Sequence, residues 1–409
     1  MNIRLFSLLL LSTYSANSFS MEPEKPFKTL KNLCIETLGG DDSIESNNPY
    51  DILNELLVVA CEQGDLARVK FFCQNGANSN AVTEWGNSPL LACIRKNRIE
   101  IMKYLIEEQR ADVKQRAWSN TPIKEALNVG NVEAIKILLA NGISLESHNL
   151  SYYLSGALVR SNKQYIHFLI DNGANPETCT SSSDQSLYSL HWAAFYGDYD
   201  LLQKLLQKKV NINVTDKNNR NALYYATTSS QIEMAKFLIA QGIDINIVPT
   251  SVYNHWTPLF VAIFRNNLEL TRILLQNGAL VNICDTYGQS PLTRACAAGN
   301  IEIVKLLVAC DADIDHLAPS CSSQTPLIAA IKNRHPHIAQ FLIEQGANVS
   351  KKDDEYPLDY VNTAIETCIA TNNQKLLEAF KIVKNLLIKG GTYLDFSKQI
   401  FFYREDLNN

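Results

Sequence analysis

Short runs of apolar residues alternate along this chain with polar stretches rich in Gly, Asn and Asp. Residues 259–263 form one run, which follows Thr257-Pro258, and residues 301–307 form another at helical spacing, which follows Gly299-Asn300. Thr or Ser can cap a helix N-terminus, and Pro is tolerated in the first turn because its missing N–H needs no partner there. The pattern predicts pairs of short helices joined by tight turns, in which neither helix can bury its apolar face alone.

This helix pair recurs about every 33 residues. We define the anchor of each unit as the Pro of Thr-Pro-Leu or the residue in its place. The anchors lie 31 to 36 residues apart and are Leu56, Pro89, Pro122, Tyr153, Ser189, Ala222, Pro258, Pro291, Pro326 and Pro357. A glycine often follows at anchor plus eight, where we expect the turn between the helices, and another at anchor plus twenty, where we expect a left-handed helix end. Because stacking of units supplies the core, function is expected on a long surface rather than in one pocket.

One unit carries the fullest version of the motif. Residues 189–194 read Ser-Leu-His-Trp-Ala-Ala, and Thr325-Pro326-Leu327, Ser290-Pro291-Leu292 and Thr121-Pro122-Ile123 match its beginning in phase. The chain resembles the ankyrin repeat, whose period is about 33 residues with a Thr-Pro-Leu-His-x-Ala core, whereas the Trp, Tyr and late Pro of the tetratricopeptide repeat are absent. The resemblance covers roughly residues 50 to 395 and implies an all-α solenoid of paired antiparallel helices with β-hairpin or loop fingers.

The predicted organisation has four parts. Residues 1–20 are a candidate signal peptide, 21–49 a capping helix and linker, 50–355 repeats 1–9, and 356–409 an atypical C-terminal capping repeat and tail. In that last repeat Gly390-Gly391 comes late, which predicts longer helices. Insertions near residues 180–183, 249–251 and 319–321 are expected to form loops.

The N-terminus and the cysteines point to different compartments. Residues 1–20 have the order of a secretory signal, basic, then apolar, then small, with an apolar run too short to span a bilayer. A buried N-terminal helix, or initiation at Met21 in the cytoplasm, is the alternative. Cys61, Cys93 and Cys296 fall where first helices need small apolar residues, so we expect buried thiols that suit a reducing compartment. An exported bacterial effector acting in a host cytosol would reconcile both, and native disulfides found by alkylation and mass spectrometry would exclude it.

Charge narrows the class of partner. The net charge is −5, from 37 basic and 42 acidic residues, and no Lys/Arg cluster is present. This argues against nucleic acid as the main partner. We expect a monomer that binds a protein, without a cofactor or metal and without an integral membrane segment in the mature chain.

No recognised catalytic motif is present. The chain lacks Gly-x-Gly-x-x-Gly, a Walker A loop, His-Glu-x-x-His and Gly-x-Ser-x-Gly. His191 sits in the Thr-Pro-Leu-His slot, where the resemblance implies a hydrogen bond to neighbouring backbone. We therefore expect that this protein is not an enzyme. The alternative is a repeat array that recruits a substrate to an unrecognised activity in residues 356–409, whose tail contains Asp395, Lys398, Tyr403, Arg404 and Glu405.

The resemblance also implies a binding surface. In ankyrin arrays it consists of fingertip residues four and two positions before each anchor, and groove residues six and seven positions after it. The candidate partner-binding residues at these positions are Trp85, Trp118, Phe195, Tyr196, Arg220, Trp256, Phe264, Arg265 and Tyr287. Exposed aromatic and Arg side chains are the usual binding hot spots. The alternative is that the aromatic rings pack on adjacent fingers and the basic residues are only solvated. From the mixture of aromatic and basic groups we expect a partner segment with apolar anchors and acidic flanks.

Overall fold

The computed structural model describes residues 49–180, 187–250, 255–317, 324–353 and 355–394. The candidate signal peptide, the capping helix and linker up to residue 48, and tail residues 395–409 lie outside the described residues. Most positions of the three predicted insertions also lie outside the described residues, because the structure does not describe residues 181–186, 251–254 and 318–323.

The chain divides into two compact units, Met1–Asn175 and Pro176–Asn409. The described helices of the first unit are α1 (Pro49–Gln63), α2 (Leu66–Gln74), α3 (Pro89–Arg95), α4 (Ile99–Glu107), α5 (Pro122–Val129), α6 (Val132–Ala140), α7 (Leu150–Val159) and α8 (Lys163–Asp171). Those of the second unit are α9 (Ser189–Tyr196), α10 (Tyr199–Gln207), α11 (Ala222–Thr228), α12 (Ile232–Ala240), α13 (Pro258–Phe264), α14 (Leu268–Gln276), α15 (Pro291–Ala298), α16 (Ile301–Ala309), α17 (Pro326–Lys332), α18 (Pro336–Glu344), α19 (Pro357–Ala370) and α20 (Gln374–Leu394). The odd-numbered helices are the first helices of the repeats, and the even-numbered ones are the second.

The predicted helix starts are confirmed. The side chain of Thr257 accepts a hydrogen bond from the backbone N–H of Phe260, and Ser290 accepts one from Thr293. In the sixth repeat, which lacks Thr-Pro-Leu, Asn221 caps α11 in the same way. Asn is as good an N-cap as Ser, so this degenerate repeat keeps the start signal.

Stacking of first helices forms the core of each unit. Helix α9 packs against α11, α11 against α13, and α15 against α17, while every first helix also packs on its own second helix. In α13 the six residues from Pro258 to Ile263 are all buried. The two helices of a repeat therefore contribute one continuous apolar layer between neighbouring repeats.

The turn positions take left-handed backbone whether or not they hold glycine. Gly197, at anchor plus eight, has φ of 69°, and Gly278, at anchor plus twenty, has φ of 90°. Where glycine is missing at anchor plus eight, the same conformation is adopted by Asn97, Ser161, Ser230, Asn266 and Arg334. The position is thus dictated by the geometry of the helix pair, and glycine is only its least strained occupant.

The fingers are loops, one of the two forms expected. They contain no β-strand among the described residues: isolated bridges join Ala117 to Asn120 and Cys179 to Tyr188, and other fingers are closed by tight turns. One expectation, about the last repeat, needs correction. Its helices are long, at 14 and 21 residues, but α20 continues through Gly390 and does not end there. A Cβ at Gly390 would lie 3.4 Å from the methyl groups of Val349, so this part of α20 packs beside Val349.

No helix in the described ranges has both the length and the apolar character needed to cross a bilayer.

Two glycines of the third repeat allow a matched test of turn strain. A Cβ at Gly130 would lie 2.8 Å from Cδ1 of Tyr165, a buried ring whose hydroxyl donates to the Leu127 carbonyl at 2.6 Å. A Cβ at Gly142 would meet nothing within 4 Å, although φ is positive at both sites. We expect Gly142→Ala to cost about 1 kcal/mol, and Gly130→Ala to cost roughly 1–3 kcal/mol more because it adds overpacking. Urea unfolding followed by circular dichroism checks this, and equal losses would contradict it.

Candidate partner-binding surface

The predicted fingertip tryptophans of the first unit are highly exposed. Trp85 is 69% exposed and Trp118 is 70% exposed. Trp118 also packs on the adjacent finger, because a Cβ on Gly86 would lie 2.5 Å from its indole ring. The Trp118 ring thus packs on the neighbouring turn and is still largely exposed to solvent, and its contact with a partner stays a prediction.

In the second unit an aromatic cluster ends helix α9. The Trp192 ring is buried and lies 4.5 Å, between centroids, from Tyr196, and Phe195 lies 5.1 Å from Tyr196 in an edge-on arrangement. Phe195 and Tyr196 are 37% and 49% exposed, respectively. Burial of Trp192 fixes the base of the cluster, so the two exposed rings are held in place before any partner arrives.

A second cluster surrounds Phe264 at the end of α13. Trp256 is half-buried and its ring centroid lies 4.5 Å from that of Phe264, while Phe264 itself is 43% exposed. The guanidinium carbon of Arg294, on α15, lies 4.8 Å from the Phe264 centroid. Positions six and seven after each anchor do not include Arg294, which lies three residues after its anchor. Its side chain contacts Phe264 of the preceding repeat.

Small residues separate the two clusters. Thr228 and Ser229 occupy positions six and seven of the sixth repeat, between the aromatic pair on α9 and Phe264 on α13. Tyr224, two residues after the same anchor, is half-buried. Because α9, α11 and α13 pack in that order, smaller side chains lie between the two sets of aromatic rings. We call the set Phe195, Tyr196, Tyr224, Phe264, Arg265 and Arg294 the aromatic face.

Arg220 is held by contacts within the repeat. Its Nε donates to Oδ2 of Asp216 at 2.7 Å, and the Tyr225 hydroxyl donates to the same oxygen at 2.7 Å. The guanidinium carbon also lies 5.2 Å from the Tyr225 ring. Burial alone would raise the pKa of Asp216, but the hydrogen bonds from Arg220 and Tyr225 hold it below its usual value. The structure thus gives Arg220 a clear stabilising role, and its contact with a partner stays a prediction.

The remaining candidates are accessible. Arg265 is exposed beside Phe264, and Tyr287 is 53% exposed at the finger of the eighth repeat. Four candidates therefore lie at the ends of first helices in the second unit, namely Phe195, Tyr196, Phe264 and Arg265. Trp85 and Trp118 belong to fingers of the first unit.

The slot histidine bonds to backbone, as the resemblance implies. His191 is fully buried, its Nε2 lies 3.0 Å from the Val214 carbonyl, and its Nδ1 accepts from the Tyr188 N–H at 3.5 Å. A carbonyl only accepts, so the proton is on Nε2. The ring also stacks on Tyr225 at 5.0 Å. Burial lowers the pKa of His191 to about 4, so this histidine stays neutral and structural at neutral pH.

One other group has the composition of a catalytic triad. Cys284 Sγ lies 3.2 Å from His316 Nε2, and His316 Nδ1 lies 3.7 Å from Asp313 Oδ2. However, Nε2 also lies 3.0 Å from the Gly288 carbonyl, so it carries the proton and cannot accept one from the thiol. Burial, with the nearby charges of Asp285 and Asp313, raises the pKa of Cys284. The group therefore joins two fingers and does not form an activated nucleophile.

The predicted structural thiols are buried. Cys61, Cys93 and Cys296 are fully enclosed in first helices, whereas Cys284 and Cys310 are half-buried and Cys321 lies outside the described residues. Within the part of the chain that the structure describes, no three His, Cys, Asp or Glu side chains are grouped so as to hold a metal ion.

Comparison with protein families identifies the repeat. The family model described as ankyrin repeats (3 copies) matches residues 56–149, 154–249 and 248–318, and the model described as ankyrin repeat matches 323–354. These matches cover more than half of the sequence. The chain belongs to the ankyrin-repeat family.

Its relatives are larger proteins of varied function. It is 27% identical over 277 residues to the transient receptor potential cation channel subfamily A member 1 of Homo sapiens, covering 57% of this chain and 24% of the channel. It is 25% identical over 276 residues to the ankyrin repeat protein nuc-2 of Neurospora crassa, covering 65% of this chain and 22% of that protein. It is 25% identical over 240 residues to the palmitoyltransferase AKR1 of Lachancea kluyveri, covering 55% of this chain and 31% of the enzyme. The chain thus spans about a quarter to a third of these relatives.

The ankyrin-repeat family and relatives such as nuc-2 support a protein-interaction scaffold.

Burial of His191 predicts a pH-dependent stability. Its pKa is lowered in the folded state, so between about pH 6.5 and pH 4 the unfolded chain binds a proton that the folded chain does not. Stability should therefore fall by about 2 kcal/mol from pH 7 to pH 5. In His191→Gln, which can still donate to the Val214 carbonyl, this fall should be smaller by that amount. Urea unfolding at both pH values measures it, and the same pH dependence in variant and wild type would refute the assignment.

The ion pair of Arg220 predicts a loss of stability on its removal. Arg220→Ala leaves the Asp216 carboxylate buried without its cation, so we expect a cost of roughly 3 kcal/mol. Arg265→Ala, at an exposed position, should change stability by less than about 0.5 kcal/mol. Thermal unfolding of both variants compares them, and a loss for Arg220→Ala no larger than that for Arg265→Ala would contradict the structural role.

Proposed function

We propose that the second unit binds a segment of a partner protein along the aromatic face, and that the chain performs no catalysis. The observation that carries this proposal is the exposure of Phe195 and Tyr196 on α9 and of Phe264 on α13, the two first helices that flank α11, in phase with the repeat. Isolated exposed aromatic residues are ordinary, but a set in register on one surface is typical of an interaction site.

The packing beneath the face supports the proposal. Trp192 lies under Tyr196, and Trp256 and Arg294 contact Phe264, so the exposed rings lose little conformational freedom on binding. Pre-ordered aromatic side chains contribute more net affinity than mobile ones because less entropy is lost.

A non-catalytic role is part of the proposal. The two histidines that come closest to a catalytic arrangement, His191 and His316, each donate to a backbone carbonyl, which leaves no proton acceptor aimed at a nucleophile. An activity in residues 356–409 stays the alternative, and its tail lies outside the described residues.

The place of action is also a proposal. The buried thiols suit a reducing compartment, and residues 1–20 keep their interpretation as an export signal, so an exported effector that acts on host proteins is the hypothesis we favour over a cytoplasmic protein. N-terminal sequencing of the mature protein tests it: an intact Met1 in protein recovered from its site of action would exclude cleavage.

Removing the exposed rings should abolish partner binding without unfolding the chain. We expect the triple variant Phe195→Ala, Tyr196→Ala, Phe264→Ala to bind its partner at least about a hundredfold more weakly, since hot-spot residues contribute about 2 kcal/mol or more each. The measurement is affinity capture with mass spectrometry, followed by a binding titration of each protein that wild type retains and the variant loses.

A matched control removes similar apolar area elsewhere. Ile369 and Ile382, on α19 and α20, are 62% and 50% exposed, so Ile369→Ala, Ile382→Ala deletes exposed apolar groups away from the aromatic face. This control should capture the same proteins as wild type with unchanged affinity. If the triple variant also captures them with wild-type affinity, the aromatic face is not the binding site.

A further inference from the structure

The charges near the aromatic face are not all neutralised within the chain. Arg220 is paired with Asp216, and Lys332 Nζ lies 2.8 Å from Asp353 Oδ2. Arg265 and Arg294 differ, because neither has a carboxylate at ion-pairing distance among the described residues. Two arginines of this surface are therefore left with unused hydrogen-bonding and charge capacity.

Both arginines lie beside Phe264. Arg294 comes from the following repeat and places its guanidinium carbon 4.8 Å from the Phe264 centroid. Arg265 follows Phe264 in the chain and lies near Tyr224 of the preceding repeat. Burial raises the pKa of Tyr224, and the positive charges of Arg220 and Arg265 oppose that rise. The exposed ring thus has one cation toward α15 and another toward α11.

The polar atoms around the ring are donors. Nε of Arg294 and Nε1 of Trp256 are both buried and have no hydrogen-bond partner. A partner must bind the solvent-accessible part of each guanidinium, which can only donate, so the group that complements it must accept. A carboxylate does so best, because it accepts two parallel hydrogen bonds from one guanidinium and brings the opposite charge.

We propose that Arg265 and Arg294 bind carboxylate groups of the partner segment, so that the ligand of the aromatic face is an acidic peptide with an apolar residue beside its carboxylates. The apolar residue packs against Phe264. This inference rests on the proposed function and specifies the chemistry of the partner.

Phosphate groups of a nucleic acid are the competing ligand for two arginines. The net charge of −5 disfavours a polyanion that must follow the whole surface. A short peptide needs to neutralise only the two arginines. The observations therefore favour the peptide.

The test begins with a selection on the full chain. A random 12-residue peptide display library is selected against wild type and against Arg265→Gln, Arg294→Gln. Peptides from wild type should be enriched in Asp or Glu next to an aromatic or aliphatic residue, and this acidic enrichment should disappear on the variant. Enrichment of peptides without acidic residues on wild type would overturn the proposal.

A titration of one selected peptide then measures the charge contribution. By fluorescence anisotropy we expect Arg265→Gln alone, an exposed change that does not disturb packing, and the double variant to weaken binding by about tenfold or more. The same peptide with Gln and Asn in place of its acids should bind wild type equally weakly. Arg272→Gln, an exposed change on the second helix of the same repeat, is the matched control and should leave the affinity unchanged.

The outcomes separate this inference from the proposed function. If the alanine triple variant loses the peptide while the arginine variants and the neutral peptide bind as well as the original pair, the aromatic face stands and the carboxylate site fails. If the triple variant binds the peptide with wild-type affinity, the face itself fails. Tighter binding of a labelled single-stranded oligonucleotide than of the peptide, lost in the arginine variants, would replace the peptide by a nucleic acid.

Discussion

Stacking of one helix pair on the next is the interaction on which every repeat depends. Helix α13 has seven residues and buries the six from Pro258 to Ile263, so it has almost no solvated face of its own. A helix of that length is not stable in isolation, because nucleation costs more than a few hydrogen bonds return. Its existence therefore depends on α11 and α15, which pack on either side of it. The Thr, Ser and Asn caps fix where such helices begin, but packing decides that they form.

The same packing creates the surface. In each first helix the register that buries the early residues leaves positions six and seven at the rim, which is why Phe195, Tyr196, Phe264 and Arg265 are exposed although they follow directly on fully buried segments. Side chains at these two positions can change without disturbing the core, so recognition and stability are separable in this fold. Arg220 is an instructive exception. Its guanidinium completes a buried network with Asp216 and Tyr225, so at that finger a residue in a recognition position also stabilises the repeat.

Sequence reasoning reached the fold because its signals are local and periodic. The Thr-Pro or Ser-Pro starts, the turn at anchor plus eight and the end at anchor plus twenty each reflect backbone geometry within one repeat. It failed where a contact with another segment decides the outcome. Gly390 would end a helix by the local rule, yet α20 runs through it at a point where Val349 packs beside it. Arg294 was missed for the same reason, since only the stacked structure shows that it reaches Phe264 of the preceding repeat. The sequence also did not show that Arg220 is held within its own repeat, because that depends on where the buried Asp216 carboxylate lies.

The left-handed turns differ in cost along the second unit. Gly197 and Gly299 make the turns of the fifth and eighth repeats, whereas Ser230 and Asn266 adopt the same backbone in the sixth and seventh. A residue with a Cβ is less stable in this conformation than glycine, so the two inner repeats carry a small local strain that the flanking pair avoids. Tyr224, Phe264 and Arg265 are on those inner repeats. The middle of the aromatic face therefore stands on turns that are slightly more strained than those at its margins.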